Sequence, residues 1–217
     1  MRQKLTLTAV LVVLVLISGF AAFKEQERRQ KLSFPDSLDM TAVVVDGEAL
    51  TLRDMAFYIA YEETQMEETA RIYNAENTGE FWRLFTNHTF FRSAGKQAAL
   101  DMAVHDAIFY QLALEEELEL TQEEQLHLAN DQYDFWSDLE EDQRKRLGAS
   151  EEDVKETMRR MALAEKYQYL LAAIEQKEFD DYSIDGTAYQ RLMEEHEIEL
   201  DETTWERVPF GSITVDH

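Results

Sequence analysis

The residues of this sequence that are best spaced to hold a metal ion are Glu124 and His127. A Glu-x-x-His pair on one helix is the spacing of di-iron carboxylate bundles, which need a second such pair and a Glu from each of two further helices. No second pair exists, because residues 194–196 place Glu directly beside His. Asp101 and His105 share one predicted helix face but have no further ligand beside them. The sequence therefore predicts no metal site and no cofactor.

Catalysis by a protein nucleophile has little support among the residues. The sequence has no Cys, which excludes thiolate catalysis and disulfides. It also has no Gly-x-Ser-x-Gly motif and no glycine-rich phosphate loop, and its five His residues stand in no catalytic arrangement. These residues favour a protein that binds over one that catalyses.

Aromatic and methionine side chains indicate a binding surface of another kind. Such side chains offer large, adaptable apolar area, which suits binding of polypeptide segments of varied sequence. On the first predicted helix, Phe57, Tyr58 and Tyr61 widen the apolar face beyond a simple stripe. The alternative is that these side chains pack in the core. The candidate polypeptide-binding residues are Met55, Phe57, Tyr58, Tyr61, Met66, Trp82, Phe85, Phe90 and Phe91.

The elements that would position these residues are mostly helices. Only 7 Gly and 2 Pro occur in 217 residues, while 12 Phe, 9 Tyr and 3 Trp supply a core. Capping-box patterns at Thr51 and Thr121, and a stop at Gly148 followed by a cap at Ser150, mark helix ends. The apolar spacing predicts helices over residues 52–73, 93–119, 122–147, 151–174 and 188–195.

A small β element precedes the first helix. The β-branched run at Val43 to Val45 leads into Asp46-Gly47, a favoured two-residue hairpin turn, and the chain returns through Leu50. The extended stretch 208–215 is expected to pair with this hairpin. The predicted fold class is mainly α, a multi-helix lobe with a small β-hairpin or short sheet.

The first residues have the pattern of an export segment. Met1 to Lys4 is basic, and an apolar run from Leu5 to Phe23 follows it. That run is marginal for a bilayer span and long for a cleaved signal peptide. Retention would leave a membrane anchor, and cleavage near Ala21 would secrete the protein. Both alternatives export the remainder, so the predicted location is extracytoplasmic.

Charge narrows the classes of partner. Lys and Arg total 21 against 45 Asp and Glu, a net charge of −24. A surface of this sign repels phosphate backbones and anionic headgroups, which excludes nucleic acid as a partner. The predicted organisation is a signal peptide or signal anchor at 1–23, a linker at 24–40, a helical domain at 41–177, and a C-terminal helix and extended segment at 178–217.

Several motifs occur in an order found in a known family. They are the hairpin from Val43 to Thr51, the helix end and cap from Leu112 to Glu124, the helix entrance from Leu147 to Val154, and Lys166-Tyr167. Together, over residues 41–171, they resemble the helical N-terminal chaperone lobe of the SurA/PrsA family of extracytoplasmic foldases. The sequence departs from the family pattern at Asp46, where Asn is usual, and at Glu117, near a usual Gly.

The resemblance implies a holdase that binds unfolded exported polypeptides and is tethered to the membrane through its N-terminal segment. Family members with peptidylprolyl isomerase activity carry a parvulin-type domain after this lobe, and residues 178–217 are too few for one. One alternative is a cell-envelope adaptor that binds a single partner. A second is an isomerase-related protein that lacks its catalytic domain or is completed by a separate one. A homodimer formed by chain exchange stays open.

Overall fold

The computed structural model describes residues 31–86 and 89–217, so the predicted export segment at 1–23 lies outside the described residues. The described part is mainly helical with a small antiparallel sheet, which confirms the predicted class at that level. Its helices are α1 (Leu52–Asn74), α2 (Gly79–Trp82), α3 (Phe91–Glu115), α4 (Gln122–Asp138), α5 (Glu141–Leu147), α6 (Glu151–Glu175), α7 (Thr187–Met193) and α8 (Glu202–Arg207), with a 3-10 turn at Phe179–Tyr182. None of these helices is long and apolar enough to span a bilayer.

Local hydrogen bonds set the starts of the long helices. Capping boxes form at Thr51, Thr121 and Ser150, where each side chain accepts the backbone N–H three residues on. The reciprocal carboxylate in each box bonds back to the N-cap backbone. The predicted starts of α1, α4 and α6 are confirmed. Sequence could predict them because each cap involves only four consecutive residues.

Two predicted helices are longer than those in the structure. The helix expected over 122–147 divides into α4 and α5, because Glu140 forms its own capping box with Gln143 and Leu139 turns into the core. The helix expected to reach 119 ends with α3 at Glu115, where Glu117 adopts φ +51° and the Leu118 N–H donates to a carbonyl five residues back.

The three-stranded sheet has the order β2–β1–β5, with β1 at Thr41–Val45, β2 at Glu48–Thr51 and β5 at Ile198–Leu200. The predicted hairpin turn is confirmed, since Asp46 and Gly47 both have positive φ. The Asp46 carboxylate also holds the start of β5, accepting from His196 Nδ1 (2.6 Å) and from the Glu197 N–H (2.8 Å). A separate two-stranded ribbon pairs β3 (Phe85–Thr86) with β4 (Thr89–Phe90).

The prediction that residues 208–215 pair with the hairpin is wrong. That stretch instead folds around the buried carboxylate of Glu63 on α1, which accepts the backbone N–H groups of Gly211, Ile213 and Thr214. The Glu63 side chain is a buried acceptor that satisfies these donors, so the stretch has no need of a neighbouring strand.

The core lies among α1, α3 and α6, and the contact between α3 and α6 is the most extensive. Ile59, Ile108 and Val154 are fully buried at this junction. The stretch assigned from sequence to a linker also reaches the core, through Leu32, Phe34 and Leu38. The Leu32 N–H donates to the Arg207 carbonyl (3.0 Å), so residues 32–40 are part of the folded body.

Candidate functional site

The nine residues predicted to bind polypeptide divide by exposure. Met55, Phe57, Tyr58, Met66 and Trp82 are buried. Phe91 is half-buried against Phe81, whereas Tyr61, Phe85 and Phe90 are exposed. Phe85 and Phe90 face each other across the β3–β4 ribbon with ring centroids 5.0 Å apart.

The buried aromatic residues with polar ends have found partners inside the fold. The Tyr58 hydroxyl donates to Asp106 (3.0 Å), and the Trp82 indole N–H donates to Glu67 (3.0 Å). Burial and the nearby Asp106 charge raise the pKa of Tyr58 well above its usual value. These side chains fasten α1 to α3 and α2, because a buried hydroxyl or indole N–H needs an acceptor.

The residues considered as metal ligands take up other contacts. Glu124 pairs with Lys166 (2.6 Å) and His127 is exposed. His105 is buried with its two ring nitrogens at Asp106 (3.0 Å) and the Tyr182 carbonyl (2.9 Å), and Asp101 accepts from the Gln97 side chain (2.8 Å). Among residues 31–86 and 89–217, no group of three or more His, Asp or Glu side chains is placed to hold a metal ion.

The contact between α4 and α6 has an open groove on each side. Helix α4 has no buried residue along its 17 positions, and α6 is the one described helix against which it packs extensively. Leu126 and Tyr133 on its outer face are 64% and 68% exposed. Its far end is anchored by Phe135, whose ring lies 4.9 Å from that of Phe57 on α1.

Leu120 and Leu128 form a narrow ridge along which α4 meets α6, since both residues line a groove on each side of the contact. Lys166 holds the N-terminus of α4, because it donates to the Glu119 carbonyl (2.8 Å) as well as to Glu124. The Gln132 side-chain amide also donates to the Lys155 carbonyl (2.8 Å), and open space remains on each side of the contact between the two helices.

The larger groove holds about 510 Å³ of open space between α4, α6 and the α3–α4 loop. Leu118 and Leu163 add apolar surface to the ridge. The charged groups in it are mostly satisfied, because Arg159 pairs with Glu156 (2.7 Å) and Lys155 pairs with Glu151 (2.7 Å). Glu119 and Glu152 also line it and have no ion pair within the described part of the chain, so this groove offers apolar contact beside negative charge.

The smaller groove, on the other side of α4, holds about 280 Å³. Its lining includes Met158, Met161 and Ala162, with the exposed Tyr169 at its side, which combine flexible and flat apolar side chains. Asp131 on α4 and Glu165 on α6 stand on its rim. Neither carboxylate has an ion pair within the described part of the chain, so this groove has apolar surface beneath uncompensated negative charge.

The electrostatics of the smaller groove favour a cation. Burial raises the pKa of Glu165 above its ordinary value, and the charges of Asp106 and Asp131 raise it further. A positive group placed between Asp131 and Glu165 would relieve this repulsion. The groove can therefore accept an apolar segment that carries Lys or Arg.

Sequence reasoning missed these groove residues, although a signal was present. At 100° per residue, Leu126 and Tyr133 fall on one face of α4, and Leu128 and Phe135 fall on the opposite face. A helix with apolar residues on two faces either is buried all round or contacts something on its open side. The burial of Phe57 and Tyr58 cannot be obtained in the same way, because it depends on α4 and α3 covering α1.

The described surface around α4 combines apolar ridges, two open grooves and an acidic rim, an arrangement suited to reversible binding of flexible chains. The groups that line the two grooves are aliphatic, aromatic and carboxylate side chains together with basic and amide side chains, among them Lys155, Arg159 and Lys166. Comparison of the chain with protein-family models, with curated proteins and with solved structures gives no match.

Proposed function

We propose that this chain is a holdase-type chaperone that binds unfolded exported polypeptides along the two grooves beside α4. It acts outside the cytoplasm, where the N-terminal export segment would deliver it, and without catalysis of its own. Its fold is proposed to correspond to the helical lobe of the SurA/PrsA family. The client segment is apolar and carries Lys or Arg.

The observation that supports the proposal is that α4 packs against α6 without burying any of its own residues. A helix of 17 residues with none buried leaves much of its apolar surface open to a ligand. Met158, Met161 and Tyr169 beside it adapt their shape to different side chains, which a binder of many sequences needs.

Charge supports the choice of occupant. The protein carries a net charge of −24, so a second copy of the chain is repelled from the groove, whereas a basic-apolar segment is attracted. The acidic surface would also keep a complex with an aggregation-prone client in solution, because like-charged complexes repel each other.

The test measures aggregation of a chemically denatured model protein on dilution, with and without a several-fold excess of the purified chain. Ala162→Glu places a carboxylate inside the smaller groove, and Ala129→Glu makes the same change on the exposed face of α4. We expect suppression by the wild type and by Ala129→Glu, and weaker suppression by Ala162→Glu at equal helix content. Equal suppression by both variants would remove the smaller groove from the proposal.

Photo-cross-linking from Tyr169, replaced by a photoreactive amino acid, distinguishes a chaperone from a single-partner adaptor. Tyr169 is largely exposed beside the groove, so the probe leaves the core unchanged. Many cross-linked polypeptides are expected from a mixture of exported proteins. One cross-linked band, together with no suppression of aggregation, would refute the holdase proposal and identify an adaptor.

A further inference from the structure

A second surface suited to polypeptide lies at the edge of the three-stranded sheet, away from the grooves of α4. Strand β5 is the end strand in the order β2–β1–β5, and its three residues are all exposed. An edge strand presents unpaired backbone donors and acceptors, which another extended chain can satisfy.

The register determines which backbone groups face outward. The Asp201 N–H donates to the Ala42 carbonyl (2.9 Å), so Glu199, two residues earlier, also directs its N–H and C=O toward β1. Because these directions alternate along an antiparallel strand, Ile198 and Leu200 direct their backbone groups to the open side. A chain that adds there would pair with both residues.

An apolar groove of about 250 Å³ runs beside this edge, between β5, α3 and α7. Ile198 and Leu200 line it and remain 37% and 39% exposed. Leu100 on α3 and Met193 at the end of α7 form its opposite side. Every second side chain of an added strand would enter this groove, since side chains alternate between the two faces of a sheet.

The other face of the edge is acidic. Glu199 points away from Ile198 and Leu200, toward solvent, and residues 194–197 bring three further Glu close to the start of β5. The intervening side chains of an added strand would lie beside these carboxylates. Lys or Arg at those positions would be stabilised, and Asp or Glu would be repelled.

We propose that the β5 edge and its groove bind an extended polypeptide segment in which apolar residues alternate with Lys or Arg. Main-chain hydrogen bonds supply affinity, and the alternation supplies specificity, as in other cases of strand addition. A second copy of this chain is a poor occupant, because antiparallel pairing of two β5 strands would bring their Glu side chains together. The site is separate from the proposed α4 grooves and selects extended rather than adaptable segments.

The experiment measures fluorescence anisotropy of a labelled peptide of alternating Val and Lys, against a peptide of the same composition with the Val and Lys residues in separate blocks. Glu199→Lys reverses one charge at the β5 edge, and Glu48→Lys makes the same change on β2, at the opposite edge of the sheet. The alternating peptide should bind more tightly. Glu199→Lys should weaken it about fivefold at low salt and Glu48→Lys less than about twofold.

A backbone variant tests the pairing itself. Leu200→Pro removes an outward N–H, which an edge strand tolerates, and Leu200→Ala shortens the same side chain but keeps the N–H. We expect Leu200→Pro to weaken binding more than Leu200→Ala, with unfolding curves measured for both. Equal binding of the two peptides, or equal effects of Glu199→Lys and Glu48→Lys, would overturn the proposal. Loss of peptide binding in Ala162→Glu alone would assign the peptide to the α4 grooves instead.

Discussion

Glu63 is the residue whose replacement tests the fold most directly. Its side chain is fully buried on α1, where Oε1 accepts the N–H groups of Gly211 (2.5 Å) and Ile213 (3.3 Å). Its Oε2 accepts the N–H of Thr214 and the Thr214 hydroxyl (2.7 Å). All four partners can donate, so the carboxylate is the acceptor that organises the last ten residues of the sequence.

Glu63→Gln keeps the shape of the side chain and replaces one oxygen with an NH2 group. The amide then has one acceptor for four donors, and its NH2 meets a backbone N–H of Ile213 or Thr214. A hydrogen bond contributes about 0.5–1.5 kcal/mol, and a buried unsatisfied donor costs about 1–3 kcal/mol. At least one of the four buried donors then lacks an acceptor, so we expect a decrease of about 2–4 kcal/mol in the free energy of unfolding.

The assay is urea unfolding followed by circular dichroism, with Glu68→Gln as the matched control on the exposed side of α1. The control should change stability by less than about 0.5 kcal/mol, with the same m value. A loss below about 1 kcal/mol for Glu63→Gln would refute the reasoning, because it would mean that these N–H groups find other acceptors.

The pKa of Glu63 predicts how the stability of the wild type changes with pH. Burial raises the pKa of Glu63 above 4.5, although the hydrogen bonds from Thr214, Gly211 and Ile213 lower it in part. The folded protein therefore holds this proton more tightly than the unfolded chain. The stability from this group is fully present below pH 4.5 and is lost as pH rises through the raised pKa. The difference between wild type and Glu63→Gln should accordingly shrink as pH rises from 4.5.

Two further predictions concern single residues. Burial lowers the pKa of Lys96 to about 8, so the unfolded chain binds more protons between pH 8 and 10.5, and the wild type should gain stability over that range relative to Lys96→Met. An equal difference in urea midpoint between wild type and Lys96→Met at pH 8 and at pH 10.5 would contradict this. Glu117 has φ +51°, a conformation costing about 1 kcal/mol for a residue with a Cβ, so Glu117→Gly should raise the free energy of unfolding, while the same change at Glu116 (φ −88°) should lower it.

The candidate site illustrates the limit of reading residues by type. Phe57, Trp82, Tyr169 and Leu126 all have large, mainly apolar side chains, yet the first two are covered by other elements and the last two are open. Side-chain chemistry predicts that such residues avoid water. Whether a neighbouring helix or a ligand covers them depends on contacts between segments far apart in the sequence.

What the sequence determined by itself is local. Each cap and the hairpin turn involve only groups within four consecutive residues, so a short stretch of sequence is enough to predict them. They lie at Thr51, Thr121, Ser150 and Asp46. The helical class follows from apolar spacing and scarce Gly and Pro, which also act locally.

Only the tertiary structure decided which distant segments meet. Residues 198–200 rather than 208–215 complete the sheet, because Glu63 satisfies the backbone of the later stretch from a helix about 150 positions away. The ridge between α4 and α6 likewise depends on long-range packing. Burial and pairing are properties of the whole fold, since a residue's neighbours in space are not its neighbours in sequence.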